Sequence, residues 1–200
     1  MIIGTFIAAV FFGLITPGPG VLTTAGIGAN FGLQSGLRFV LGLFVGNNAV
    51  YLLVAGGMFT LLEAVPTLRF ALALASLLYL FYLALKIAFA GSKVAFINPS
   101  EPPGFWGGVF LQFINPKAYA VNAFFLSNFP LLDEAPITEV ALKFAIITLF
   151  WVPIHFLWLG LGVWLQRLEL APNVQRAINI AMALAMLTVV GLAAYVAKTG

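Results

Sequence analysis

Thr16-Pro17-Gly18-Pro19-Gly20 lies inside a stretch that carries no charge from residue 1 to residue 37. Asn115-Pro116-Lys117-Ala118 lies inside a second apolar stretch, from about Trp106 to Phe129. Proline removes a helical N–H donor and clashes with the preceding turn, so each motif breaks the helix that its apolar surroundings call for. Backbone groups freed in hydrocarbon cost several kcal/mol each and are tolerated only where protein or a water-filled cavity satisfies them. Pro17 and Pro116 are 99 positions apart (116 − 17), about half of the 200-residue chain. Two matched breaks at that spacing are the pattern of a transporter built from inverted repeats, with its binding site at the broken helices. A packing kink would explain one such helix; it explains two in matching positions less well.

The residues between the breaks fit this frame. AVILMFWYC make up 62% of the chain and DEKR only 8%, against about 45–50% apolar and 25% charged in soluble domains. Lipid is the solvent that such a composition needs, and the same numbers exclude disorder. Charged residues punctuate the chain and leave six apolar spans: about 2–28, 39–62, 66–85, 106–129, 142–165 and 177–196. Each supplies the roughly 17–25 residues that a helix needs to cross a core of about 30 Å. The expected fold is therefore an all-α membrane protein, a single domain over residues 1–200. It has six transmembrane helices as two inverted three-helix repeats, about 1–92 and 104–200, joined by a linker at about 93–103. Helices 1 and 4 are the broken ones. β-barrel strands would be shorter and would alternate apolar with polar residues. The first span lacks the basic start and small-residue cleavage site of a signal peptide.

Lys and Arg in the loops give an orientation. One side holds Arg38, Lys86, Lys93, Arg167 and Arg176; the side of the termini holds Arg69, Lys143 and Lys198. This balance puts both termini outside the cytoplasm. No run of basic residues exists for nucleic acid, although the net charge is +3. The chain has no Cys, which excludes disulfides, thiolate metal sites and cysteine nucleophiles. A lone His155 builds no zinc site, and no cofactor motif is present: Gly18-x-Gly20 lacks the preceding strand and the third glycine of a dinucleotide loop.

Lys117 is the one formal charge well inside a span. A charge at that depth costs at least about 2.5–3.5 kcal/mol, so its presence calls for a role. It either binds a substrate carboxylate, caps the carbonyls freed around Pro17–Gly20, or snorkels to an interface. Helix N-termini at the breaks attract carboxylates and free carbonyls attract ammonium groups, which together suit a zwitterion such as an amino acid. The candidate substrate-binding residues are Thr16, Pro17, Gly18, Pro19, Gly20, Asn47, Asn48, Gln112, Asn115, Pro116 and Lys117. Gln112 and Asn115, the amides nearest a break, are the strongest of the polar set. Asn115 and Asn122, seven apart, share a helix face, whereas Asn115 and Lys117 point together only if the break rotates the chain. No Asp or Glu lies in any span, so no carboxylate proton relay is available there. His155, two residues after Pro153, is the candidate for proton coupling; the plainer role is a hydrogen bond between helices. Gly42 and Gly46 form a small-xxx-small face, for packing within the monomer or at a homodimer interface. The tryptophans carry no expected chemistry.

These motifs resemble those of the LysE/RhtB amino-acid exporters. The resemblance rests on the Thr-Pro-Gly-Pro-Gly stretch, on Gly36-x-Arg38 leading into Gly42-x-x-x-Gly46, and on Asn115-Pro116-Lys117-Ala118 preceded by Gly108 and Gln112. Chain length and span count match as well. Phe105-Trp106, Leu111-Gln112-Phe113-Ile114-Asn115, Leu126-Ser127 and Leu83-Ala84-Leu85-Lys86-Ile87-Ala88 look closest to the cysteine/O-acetylserine exporter branch. The resemblance implies secondary efflux of amino acids or related metabolites through the inner membrane of a prokaryote. Many members place a His or Asp shortly after the Gly-x-x-x-Gly; this chain has Asn47, Asn48, Val50 and Tyr51 there, so proton coupling through span two is not carried over. Three other classes compete. Export of another solute or a metal cation lacks carboxylates and thiols in the spans. An intramembrane enzyme lacks a nucleophile–base motif among Ser76, Thr148 and His155. A passive structural subunit has no use for matched helix breaks.

Overall fold

The computed structural model describes residues 2–16, 18–57, 101–132 and 136–168 as continuous stretches, with scattered helical positions between 64 and 85 and between 171 and 188. The expected third and sixth spans, Pro17 and most of the linker at 93–103 therefore lie outside the described residues. The continuous stretches form five helices: α1 (Ile2–Ile15), α2 (Pro19–Ala55), α3 (Phe105–Ile114), α4 (Pro116–Ser127) and α5 (Pro136–Arg167).

Both expected breaks are present. The first span divides into α1 and the start of α2, and the fourth into α3 and α4. Gly18 caps α2 in an extended conformation (φ −155°, ψ 177°) and Pro19 takes the first helical turn, where its missing N–H costs nothing. Asn115 caps α4 in an extended conformation (φ −79°, ψ 104°), and Pro116 takes the first turn. Pro19 and Pro116, 97 positions apart (116 − 19), thus take the same place in the first turn of their helices.

The join between the first two spans departs from expectation. No loop surrounds Arg38. The chain bends at one residue, Gly32 (φ 77°, ψ −176°), which splits the 37-residue α2 into two arms. Unbent, α2 would reach about 55 Å, nearly twice the hydrocarbon core. The positive φ at Gly32 is one that glycine adopts without strain. Arg38 is an exposed residue inside the second arm. That arm stops at Ala55, short of the expected Leu62, where Gly56 N–H returns to the Leu52 carbonyl and Gly57 takes a positive φ of 93°.

The packing inverts that of a water-soluble protein. Leu52 and Leu149 are 66% and 70% exposed, while Asn47, Gln112, Asn115, Asn122, Lys143 and His155 are buried. Among the described residues two helices, Pro19–Ala55 and Ile137–Arg167, are long and apolar enough to cross a membrane. Both arms of α2 join α3 and α5 in one cluster around Leu22, Phe39, Leu43, Leu111, Trp151 and Leu159. A second cluster, Phe6, Val10, Tyr51, Phe125, Phe129 and Ile147, fixes α1 to α4 and α5. Gly42 and Gly46 face α3, where a Cβ would meet the Phe105 carbonyl and, at 2.9 Å, the Gln112 Cβ. The small-xxx-small face is consumed inside the chain.

Lys143 corrects a further expectation. It is not a free loop charge: it is 2% exposed, donates to the Leu126 carbonyl at 2.8 Å and pairs with Glu139 at 2.6 Å. Glu139, ahead of the fifth span, also accepts the Leu131 N–H at 3.2 Å. The hydrogen bond from Lys143, helped by the Leu131 N–H, holds the Glu139 carboxyl below its ordinary value of 4.5. A carboxyl with a lowered folded-state value stabilises the fold in full above the ordinary value and loses that contribution as pH falls through the folded one. The thermal midpoint of the detergent-solubilised protein is therefore expected to fall on acidification below about pH 4.5, and Glu139→Gln to flatten that part of the curve. An unaltered acid limb in the variant would remove Glu139 from the pH dependence.

Candidate substrate site

The two breaks meet at one cavity of about 50 Å³. Its polar lining comes from Gly18 and Gly20 at the start of α2, Asn47 on the second arm, Gln112, Asn115, Lys117 and Asn122 around the second break, and His155 on α5.

Lys117 joins the breaks directly. Its Nζ donates to the Thr16 carbonyl at 2.7 Å, at the C-terminal end of α1, across 101 positions of sequence. That is where a cation is favoured by the helix dipole. Of the three expected roles, the structure shows the cap on the freed carbonyl, and the ammonium group does not snorkel away. A Cβ on Gly18 would sit 2.9 Å from Lys117 Cδ, so the bare backbone of Gly18 is what lets the lysine stem pass.

The second break satisfies itself. Asn115 Oδ1 accepts the Lys117 N–H at 3.1 Å, and Asn115 Nδ2 donates to Gln112 Oε1 at 3.0 Å. The Tyr119 hydroxyl donates to the Phe113 carbonyl at 2.9 Å, one of the groups the break sets free. The first break does not. Its cap, Gly18, has no side chain with which to take the first N–H groups of α2, and the Leu22 N–H returns to the Gly18 carbonyl. The N-terminus of α2, at Pro19–Gly20–Val21, therefore opens on the cavity beside the Lys117 ammonium. An uncapped helix start with a cation next to it is an anion-binding arrangement.

His155 lines the cavity from α5, 4% exposed, stacked on Trp151 with ring centroids 3.5 Å apart and 15° between planes. Its Nδ1 is 2.9 Å from the Trp151 carbonyl. A carbonyl only accepts, which assigns the proton of the neutral ring to Nδ1 and leaves Nε2 as an acceptor. Nε2 is 3.7 Å from where a Gly20 Cβ would be, so it faces the start of α2.

The profile of the LysE type translocator family matches residues 11–199. The chain belongs to that family. Translocators move their ligands unchanged, so the protein is a transporter and not an enzyme. It is similar to a cysteine/O-acetylserine efflux protein of Klebsiella pneumoniae subsp. pneumoniae, 33% identical over 131 residues that cover 65% of this chain and 66% of that protein. It is also similar to the cysteine/O-acetylserine efflux protein of Escherichia coli O139:H28, 28% identical over 173 residues that cover 86% and 87% of the two chains. No solved structure matches.

In the translocator, the expected site residues divide as follows. Gly18, Pro19, Gly20, Asn47, Gln112, Asn115, Lys117 and His155 line the common cavity. Thr16 contributes its carbonyl to Lys117 rather than its hydroxyl, which turns back to Phe12. Asn48 is half-buried and does not line the cavity, and Pro116 shapes the break as the first residue of α4. Asn115 and Lys117 do converge, because the extended Asn115 breaks the helical phase between α3 and α4. Asn122 and Trp151 are among the lining residues that had no expected part in the site. Trp151 is four residues before His155 on one helix, a spacing that puts the two rings on the same face.

Proposed function

We propose that this translocator is a secondary exporter of amino acids or related small metabolites through the inner membrane of a prokaryote. Its two inverted three-span halves rock around the cavity where the breaks meet, and alternate its access between the two sides. The observation that carries this reading is the placement of Lys117 and the uncapped start of α2 on one cavity formed by both broken helices. There the substrate carboxylate sits between Lys117 and the α2 N-terminus. The ammonium group takes the second lone pairs of Gln112 Oε1 and Asn115 Oδ1 and the carbonyls exposed at the breaks. Both termini lie outside the cytoplasm, and membrane lipid surrounds the apolar outer faces.

The experiment is efflux from proteoliposomes loaded with a panel of amino acids, with and without an imposed proton gradient. Export of at least some members at rates well above protein-free vesicles is expected; none above that background overturns the reading.

Export is driven by exchange for protons, and His155 is the imidazole that lines this cavity, a group able to take up and release a proton. His155→Gln keeps a hydrogen-bonding side chain but cannot titrate. The variant is expected to go on exporting while losing its response to the proton gradient. A response equal to that of the wild type takes His155 out of the coupling.

A further inference from the structure

We propose that Asn122, together with Asn47, reads the side chain of the exported molecule and selects short, uncharged, hydrogen-bonding side chains over apolar ones of the same shape. The inference rests on the reading that this cavity holds the carboxylate and ammonium of an amino acid.

Asn122 is 3% exposed and Asn47 is 9% exposed; both line the cavity, and neither side chain has a hydrogen-bond partner among the described residues. This sets them apart from Gln112 and Asn115, which bond to each other and cap α4. Among the described residues only Trp158 Nε1 is a sealed side-chain polar atom without a partner, so the amides of Asn47 and Asn122 are open to the cavity and free to meet what enters it. Asn122 stands away from the carboxylate end. Asn122 is five residues beyond Lys117 on α4, about 7.5 Å along the axis. Side chains on a helix lean toward its N-terminus, which brings the amide back over the turn that holds Ala118, another lining residue. A substrate anchored at Lys117 and the α2 N-terminus meets Asn122 with its side chain, and only if that side chain is short.

The chemistry of the lining sets the class. Among the described lining residues there is no carboxylate to pair a cationic side chain, and Lys117 is the one fixed positive side chain, already engaged by the substrate carboxylate. An amide offers both a donor and an acceptor, which suits a hydroxyl or an ester carbonyl. An aliphatic side chain would leave both amides unpaired. Sites built to hydrogen-bond a substrate group reject the analogue that lacks it far more strongly than apolar pockets reject an extra group.

The test is efflux of two near-isosteric pairs from proteoliposomes: threonine against valine, and serine against alanine. The wild type is expected to export the hydroxyl member at least about tenfold faster in each pair. Asn122→Leu, close to isosteric, is expected to bring both ratios to about one by slowing the hydroxyl members and not the apolar ones; Asn47→Leu is expected to shift them the same way. Wild-type ratios near one overturn the proposal without any variant and leave the exporter reading intact. Unchanged ratios in either folded variant overturn it as well. Absence of export of all four by the wild type overturns it through the reading on which it rests. Where Asn122→Leu does not fold, the wild-type ratios and Asn47→Leu decide.

Discussion

Export falls by about ten- to a hundredfold when Lys117 is replaced by Ala, while the protein reaches the membrane at close to normal levels. The two halves of this expectation have different causes. In the resting protein the Lys117 ammonium is bonded to the Thr16 carbonyl at 2.7 Å. Removing the Lys117 side chain extends the cavity to the Thr16 carbonyl, where water replaces the lost donor and the fold loses little. Export depends on the other use of the same group. A charge-assisted hydrogen bond contributes about 1.5–3 kcal/mol, and 1.4 kcal/mol is a factor of ten, so the carboxylate partner alone accounts for one to two decades. The remaining attraction of the α2 N-terminus does not make up for it. Lys117→Arg is expected to fail too, since the Lys117 stem already passes within 2.9 Å of a Cβ position on Gly18 and has no room for a planar fork. Efflux assays beside a quantified membrane fraction check both halves. Near-normal export by Lys117→Ala would take this residue out of the site; loss of the protein from the membrane would make it a folding residue instead.

The prolines made the breaks, and much of the site, readable without coordinates. A proline in an apolar stretch has a consequence that is local and does not wait for tertiary structure, so both breaks followed from it, and half-buried Lys117 and the amides Gln112 and Asn115 stand beside the second. What did not follow depends on rotation about a helix axis. Asn47 and Asn48 are adjacent and about 100° apart on α2, and nothing in their identities says which one faces the cavity. The answer comes from Gly42 and Gly46, whose contact with α3 fixes the rotation of the arm and turns Asn47 inward.

Arg38 and Lys143, both expected in loops, lie inside helices. Arg38 does not mark the end of a span, because Gly32 makes the turn by itself; it is one of four glycines between residues 26 and 36, and only its φ of 77° tells it apart. Lys143 lies at the end of a span with Glu139 four residues before it, a spacing that already signals an ion pair. Trp151 joined the site for a similar reason: its partner is His155 one turn away, but that the shared face looks toward α2 is a fact of tertiary packing.

The second large effect concerns stability, and it separates the two uses that a small-xxx-small face can have. A Cβ on Gly42 would overlap the Phe105 carbonyl, and one on Gly108 would overlap the Phe39 carbonyl, so α2 and α3 cross backbone to backbone there. Neither obstacle is the flexible end of a side chain, and relief requires the helices to separate. Overpacking a well-packed core costs about 1–3 kcal/mol, and a backbone obstacle puts Gly42→Ala at the upper end of that range or beyond it. The thermal midpoint of the solubilised protein is expected to drop by several degrees with its oligomeric state unchanged. Gly160→Ala is the control: it is in α5 with nothing within 4 Å of its Cβ position, and it is expected to be neutral or slightly stabilising, as Gly to Ala is in a helix. Gly46→Ala carries the effect into the site, since its Cβ would stand 2.9 Å from the Gln112 Cβ and push that amide away from Asn115. It is expected to slow export beyond what its loss of stability explains. An unchanged midpoint for Gly42→Ala together with a shift from dimer to monomer would assign the face to contacts between copies, against the crossing with α3 from which the position of Gln112 is argued.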